Sequence, residues 1–171
     1  METSELRVAN SELRNANRDQ QSLLATRNSL LADGEAVQIA RTWIGTPYIH
    51  QASLKGIGCD CLGLLRGVWR ELKGPEPEAP PPYAPDWSEA TGGEALYQAL
   101  ARHLTEIDLR ALRFGDVVLF RMAKSAPAKH CGIIAARDNH MTLIHARQNR
   151  RVSEERLAPF WHAKLAYAFR L

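Results

Sequence analysis

The sequence is poor in cysteine, and long apolar runs are missing from it. Three cysteines among 171 residues make an odd number without the spacing of a disulfide framework, so free thiols from a reducing site of synthesis are expected. No stretch approaches the roughly 18 consecutive apolar residues of a membrane-spanning helix. The opening METSELRVANSELRNANRDQ has no apolar core of a secretory signal, which predicts synthesis in the cytoplasm without a signal peptide. A surplus of one charge is missing too. The 22 basic and 19 acidic side chains leave a net charge of +3, too mild for the clustered basic face of a nucleic-acid binder.

What is present suffices for one domain, since an apolar fraction of 45% supports a real core. Residues 1–33 read differently from the rest. SELRVAN at 4–10 is followed at once by SELRNAN at 11–17, which sets Leu6 and Leu13 on one helical face, with Leu24 and Leu31 roughly continuing it. Two heptads are fewer than a coiled coil needs, so this leader is expected to be either flexible or a short docking helix. The domain proper is expected over 34–171.

DGEAVQIARTWIG predicts a first helix with Val37, Ala40, Trp43 and Ile44 on its apolar face, ended by Gly45 and Pro47. TPYIHQASLKGIG reads as a loop. CLGLLRGVWRELKG is the clearest helix, with Leu65, Val68 and Leu72 in a stripe, Asp60 where an N-cap belongs and Gly74 where a C-cap belongs. PEPEAPPPYAP, with six prolines at 75–85, is an extended surface loop. GGEALYQALARHL follows as a further amphipathic helix. Then GDVVLFRM, KHCGIIAARD, HMTLIHAR and AKLAYAFRL read as strands, with a hairpin turn at DNH and a helical turn in SEERLAPFW. Helices first and an antiparallel meander afterwards predict an α+β fold.

The chemistry centres on GCDCLG at 58–63. If Asp60 caps the helix, Cys61 is its first residue and meets the positive end of the helix dipole. With a cationic partner, such placement brings a thiol from about 8.5 into the range of roughly 3.5–7.5. Cys59 precedes the cap and gains less, so Cys61 is the better nucleophile. A nucleophilic thiol needs a base, and six histidines are available. His130 opens one predicted strand and His145 lies late in the next. A hairpin through DNH brings the two together, one as base and one as the group that orients it.

GTPY (45–48), DCLG (60–63), FGDVVLF (114–120), HCGII (130–134) and IHA (144–146) occur in the order found in NlpC-type cell-wall peptidases. Over about residues 35–171 the chain resembles this papain-like family, and GCDCLGLLRGVWREL resembles its branch in phage tails and gene transfer agents. The resemblance implies a papain-like NlpC fold with the cysteine at a helix N-terminus packed on an antiparallel sheet. It implies Cys61 as nucleophile, His130 as general base and His145 as the orienting residue. Tyr48 would line the cleft and Asp60 would help hold the substrate's amino group. The implied substrate is a peptidoglycan stem peptide, cleaved through a thioester with neither metal nor cofactor. The implied setting is a virion or tail-like particle acting on the cell wall, with tail or particle proteins as partners. Leu62 stands where the family usually has serine, which bears on how a substrate amine is recognised.

Other classes compete. Cys59, Cys61, Cys131 and a histidine form the inventory of a zinc site, although CxC is not the usual knuckle spacing and His130 and Cys131 point to opposite faces of a strand. A redox pair would want a thioredoxin-like context that is missing. A non-catalytic adaptor of a tail-like particle would tolerate loss of the catalytic residues, and all of them are filled. The stretch RQNRR at 147–151 is either a solvated edge or an attractor of carboxylates.

Overall fold

The computed structural model describes residues 34–83 and 93–171. The leader, with its repeat, and the far end of the proline-rich loop lie outside them. Helix α1 covers 34–41 and buries Ala36, Val37 and Ala40, with Trp43 just beyond its end. Ile44, expected on the same face, is 41% exposed. The chain has left the helix by then and turns through Gly45 at φ 91°, so helical spacing no longer sets its direction. The segment read as a plain loop folds into a tight hairpin of β1 (Ser53–Leu54) and β2 (Gly58–Cys59).

Helix α2 (Cys61–Lys73) is built as its sequence dictates. Asp60 accepts from the Gly63 N–H at one end, and the Gly74 N–H donates to the Arg70 carbonyl at the other. Leu64, Leu65 and Val68 are buried, each contributing about 1.5–3 kcal/mol of apolar burial. Gly63 is required by close approach: a Cβ there would stand 1.8 Å from the Ala52 carbonyl oxygen. The proline-rich stretch, as far as Tyr83, carries no regular structure. Helix α3 (Ala95–Ala101) buries Leu96 and Leu100, and β3 (Thr105–Ile107) and a 3₁₀ turn at Leu109–Ala111 follow.

The main sheet adds β4 (Val117–Phe120), β5 (His130–Arg137), β6 (His140–His145), β7 (Ser153–Arg156) and β8 (Leu165–Arg170), with a short helix α4 (Pro159–His162) before β8. The pairing is antiparallel throughout, in the order β3-β8-β4-β5-β6-β7. The sheet is therefore not the simple meander expected, because the last strand returns to lie between β3 and β4. The SEER segment is a strand, β7, and only PFWH is helical. The hairpin at DNH is as read. Asp138 and Asn139 take φ of 50° and 61° between paired Arg137 and His140, the signature of a type I′ turn.

Strand alternation divides the core. Val117, Leu119, Cys131, Ile133 and Ile144 join the cluster that contains the buried residues of α1 and α2. Val118, Phe120, Ile134 and Leu143 form a second cluster with Trp161 of α4. Arg41 of α1 grips β7 through both oxygens of Glu154 at 2.9 and 3.0 Å and reaches the Ala136 carbonyl at 2.6 Å. Burial opposes ionisation of Glu154, but hydrogen bonds from Arg41 and Thr142 outweigh it and hold the carboxyl below its usual range.

Candidate active site

Asp60, buried to 3% exposure, does more than cap the helix. Its Oδ1 accepts from the Gly63 N–H at 2.7 Å, while Oδ2 accepts from the Gln51 N–H at 2.7 Å and the Tyr83 hydroxyl at 2.6 Å. His50 Nδ1 stands 3.5 Å from the same oxygen. Next in the chain, Cys61 opens α2 on the wall of a cleft of about 310 Å³, shared with Tyr48, His50, His130, Arg147 and Trp161.

The two neighbouring thiols are chemically unlike. Cys59 is fully buried, and desolvation, with the nearby Asp60 and Cys61, pushes it up to about 12. The Cys61 thiol is held well below its ordinary value, first by hydrogen bonding from the Cys131 thiol. Burial opposes this, and the His130 ring reinforces it by hydrogen bonding and by charge. Cys131 is pushed the other way by the same contact and by burial, and stays a thiol. Tyr48 pairs with Cys59 in an isolated bridge, and desolvation, then the charges of Cys61 and Asp60, push its phenol up to about 12. It faces the cleft as a neutral hydroxyl.

Behind the thiol the side chains form a line. His130 Nε2 lies 2.9 Å from His145 Nδ1, and His145 Nε2 lies 2.8 Å from Glu155 Oε1. The line follows from register. His130 and Gly132 share one face of β5, and His145 lies beside them on β6. Ser153 of β7 pairs with His145, so Glu155, two residues on, is its diagonal neighbour on the same face. Gly132 leaves the room: a Cβ there would stand 2.6 Å from Leu143 Cδ1 and 3.1 Å from His145 Cβ. Trp161 encloses the group, stacked on His130 with centroids 5.5 Å apart and edge-on to His145 at 5.0 Å. His145 is fully buried. Burial, then the charges of His130 and Arg147, bring its pKa to about 3, so it is neutral.

Cys61, His130, Tyr48 and Asp60 thus meet around one cleft, with His145 directly behind His130. Among the described residues no group of three or more His, Cys, Asp or Glu side chains is arranged to hold a metal ion. Leu62 lines an apolar groove of about 250 Å³ with Leu65, Trp69 and Pro80. Sequence reasoning missed Glu155, Trp161, His50 and Tyr83. Reading SEER with a period of two would have separated Glu154 from Glu155; nothing local marks the other three.

A scan against protein-family models finds no match, and a search of curated proteins finds none. Solved structures do match. The NlpC/p60 domain of peptidoglycan hydrolase SagA covers 81% of this chain and 98% of its own at 21% identity, with a TM-score of 0.54. An NlpC/P60 family protein from Bacillus cereus ATCC 10987 covers 81% of this chain at 22% identity and a TM-score of 0.55, with 39% of its own length matched. NlpC1 from Trichomonas vaginalis gives the same coverage, identity and TM-score, with 43% of its length matched. The shared property is the fold: α+β, papain-like, with helices on a six-stranded antiparallel sheet.

Proposed function

We propose that this chain is a cysteine peptidase of the NlpC type that hydrolyses peptidoglycan stem peptides. The observation that carries the reading is the line Cys61–His130–His145, with the thiol favoured as thiolate and the two rings 2.9 Å apart. The similarity in fold to a domain described as part of a peptidoglycan hydrolase supports the substrate class. The resemblance of GCDCLGLLRGVWREL to the phage-tail and gene-transfer-agent branch supports a setting in a tail-like particle that opens the wall locally.

In this mechanism the Cys61 thiolate adds to the scissile carbonyl carbon. Charge moves to the carbonyl oxygen, which faces the first turn of α2, where the N–H groups of Cys61 and Leu62 have no intrahelical acceptor. Protonated His130 gives its proton to the departing nitrogen, the C–N bond breaks and a thioester remains. A water molecule then gives its proton to His130 and adds to the thioester, and the Cys61 thiolate leaves with the acid released.

The test uses a defined muropeptide and the full chain. Wild type should release a new amine, and Cys61→Ala should release none. Mass spectrometry of an acid-quenched reaction should find the acyl group on Cys61. Wild type as inactive as Cys61→Ala on several stem peptides would sink the peptidase reading in favour of a structural adaptor.

A further inference from the structure

We infer that Glu155 is a positioning residue of this site, which fixes His145 in the one tautomer that serves His130; the inference rests on the reading of Cys61 and His130 as nucleophile and base. A neutral imidazole carries one N–H and one lone pair. His145 is neutral and fully buried, and each of its nitrogens has a partner. Glu155 Oε1 lies 2.8 Å from Nε2, and a carboxylate only accepts. The proton of His145 therefore resides on Nε2, and Nδ1 presents its lone pair to His130 Nε2 at 2.9 Å. His130 must then donate from Nε2, which leaves Nδ1 as the nitrogen that exchanges a proton with Cys61. Without an acceptor at position 155, His145 is free to carry its proton on Nδ1. Two N–H groups would then oppose each other, and His130 would lose the partner that stabilises its protonated form.

Glu155 is itself held. Trp161 Nε1 donates to the same Oε1 at 2.8 Å, and Arg147 Nη1 stands 3.7 Å away. His145, Arg147 and the Trp161 indole are thus the groups that face it, with His130 one ring further on. The preceding residue fixes the strand from its other face, where Glu154 is bound by Arg41 at 2.9 Å and Arg137 at 2.7 Å. Adjacent glutamates have separate tasks because a strand turns successive side chains to opposite faces: Glu154 holds the strand, and Glu155 sets the tautomer.

Glu155→Gln keeps an acceptor oxygen for His145 and removes the charge, whereas Glu155→Leu removes both. The full chain is compared by two readouts: nitrogen NMR of the His145 ring, and the rate of iodoacetamide alkylation of Cys61 against pH. Wild type and Glu155→Gln should hold the His145 proton on Nε2. Glu155→Leu should show a mixture of tautomers and an alkylation profile moved up by about one pH unit, as expected when the thiol pKa rises by one unit. Glu155→Gln should recover most of that profile, and the tautomer mixture in Glu155→Leu is the readout that a role in packing alone would not produce. A wild-type His145 proton on Nδ1 would overturn the inference, and so would a wild-type alkylation profile in Glu155→Leu. If Glu155→Leu does not fold, the wild-type tautomer and the Glu155→Gln profile still decide. A wild-type Cys61 inert below pH 7 would sink the nucleophile reading instead, and the His145 tautomer would then judge Glu155 separately.

Discussion

Tyr83 donates its hydroxyl to Asp60 Oδ2 at 2.6 Å, tying the proline-rich segment to the residue that precedes Cys61. Together with the Gln51 and Gly63 amides, it occupies the carboxylate expected to hold a substrate amine. Wild type should therefore cleave an N-acetylated stem peptide at least as fast as its free-amine counterpart. Tyr83→Phe should shift that preference toward the free amine by about tenfold, the effect of one charge-assisted hydrogen bond. Alkylation of Cys61 should not change. Comparison of kcat/KM on the two peptides is the check, and a wild-type enzyme that requires the free amine contradicts the occupied carboxylate.

Thiol reactivity should be confined to one cysteine. Cys61 lines the cleft with its pKa held low, while Cys59 and Cys131 are fully buried with theirs raised. At pH 6, iodoacetamide followed by peptide-resolved mass spectrometry should find the label on Cys61. His130→Ala should slow the labelling by about tenfold for each unit by which the thiol pKa rises above the assay pH. Preferential labelling of Cys59 or Cys131 would reverse the assignment.

Gly132→Ala should damage the site from the strand beneath it. The added carbon meets Leu143 Cδ1 at 2.6 Å, the Ile144 carbonyl oxygen at 3.0 Å and His145 Cβ at 3.1 Å. Overpacking of this kind costs about 1–3 kcal/mol, read as a lower urea midpoint at unchanged slope. Because His145 must shift, peptidase activity should fall by more than the loss of folded protein explains. An alanine variant with wild-type activity and midpoint would mean that the strands adjust without cost.

Burial of neutral His145 predicts a pH dependence of stability. Its folded pKa, about 3, lies below the unfolded value of about 6.5. The associated stability is present above the unfolded value and is lost as pH falls toward the folded one, because only the unfolded chain takes up the proton. The slope is at most about 1.4 kcal/mol per pH unit. It is best measured between about pH 6.5 and 5, above the usual carboxylate range. The Cys61→Ala background removes the thiolate, whose lowered pKa adds a slope of the same sign. Urea unfolding of Cys61→Ala should lose stability across that window, and His145→Asn in the same background should lose less. Equal slopes would mean that His145 is not held neutral by the fold.

The sequence made part of this legible for physical reasons. The N-cap at Asp60, the helix after it and the two-residue turn at DNH are local, and each is written in adjacent residues. The juxtaposition of His130 and His145 followed from that turn. Strand β7 does not show in local patterns because SEER has no apolar alternation: Glu154 is buried by ion pairs on one face, and Glu155 meets His145 on the other. The return of β8 between β3 and β4 rests on pairings between distant segments, which local patterns do not encode. His50 and Tyr83 sit on irregular backbone, where no periodicity points a side chain toward the thiol.

The most direct test of the account is mass spectrometry of the fragments released from purified sacculi. Wild type should yield muropeptides cut within the stem peptide, each with a new free amine, and Cys61→Ala should yield none. Release of the same fragments by Cys61→Ala, or intact stem peptides after exposure to wild type, would contradict it.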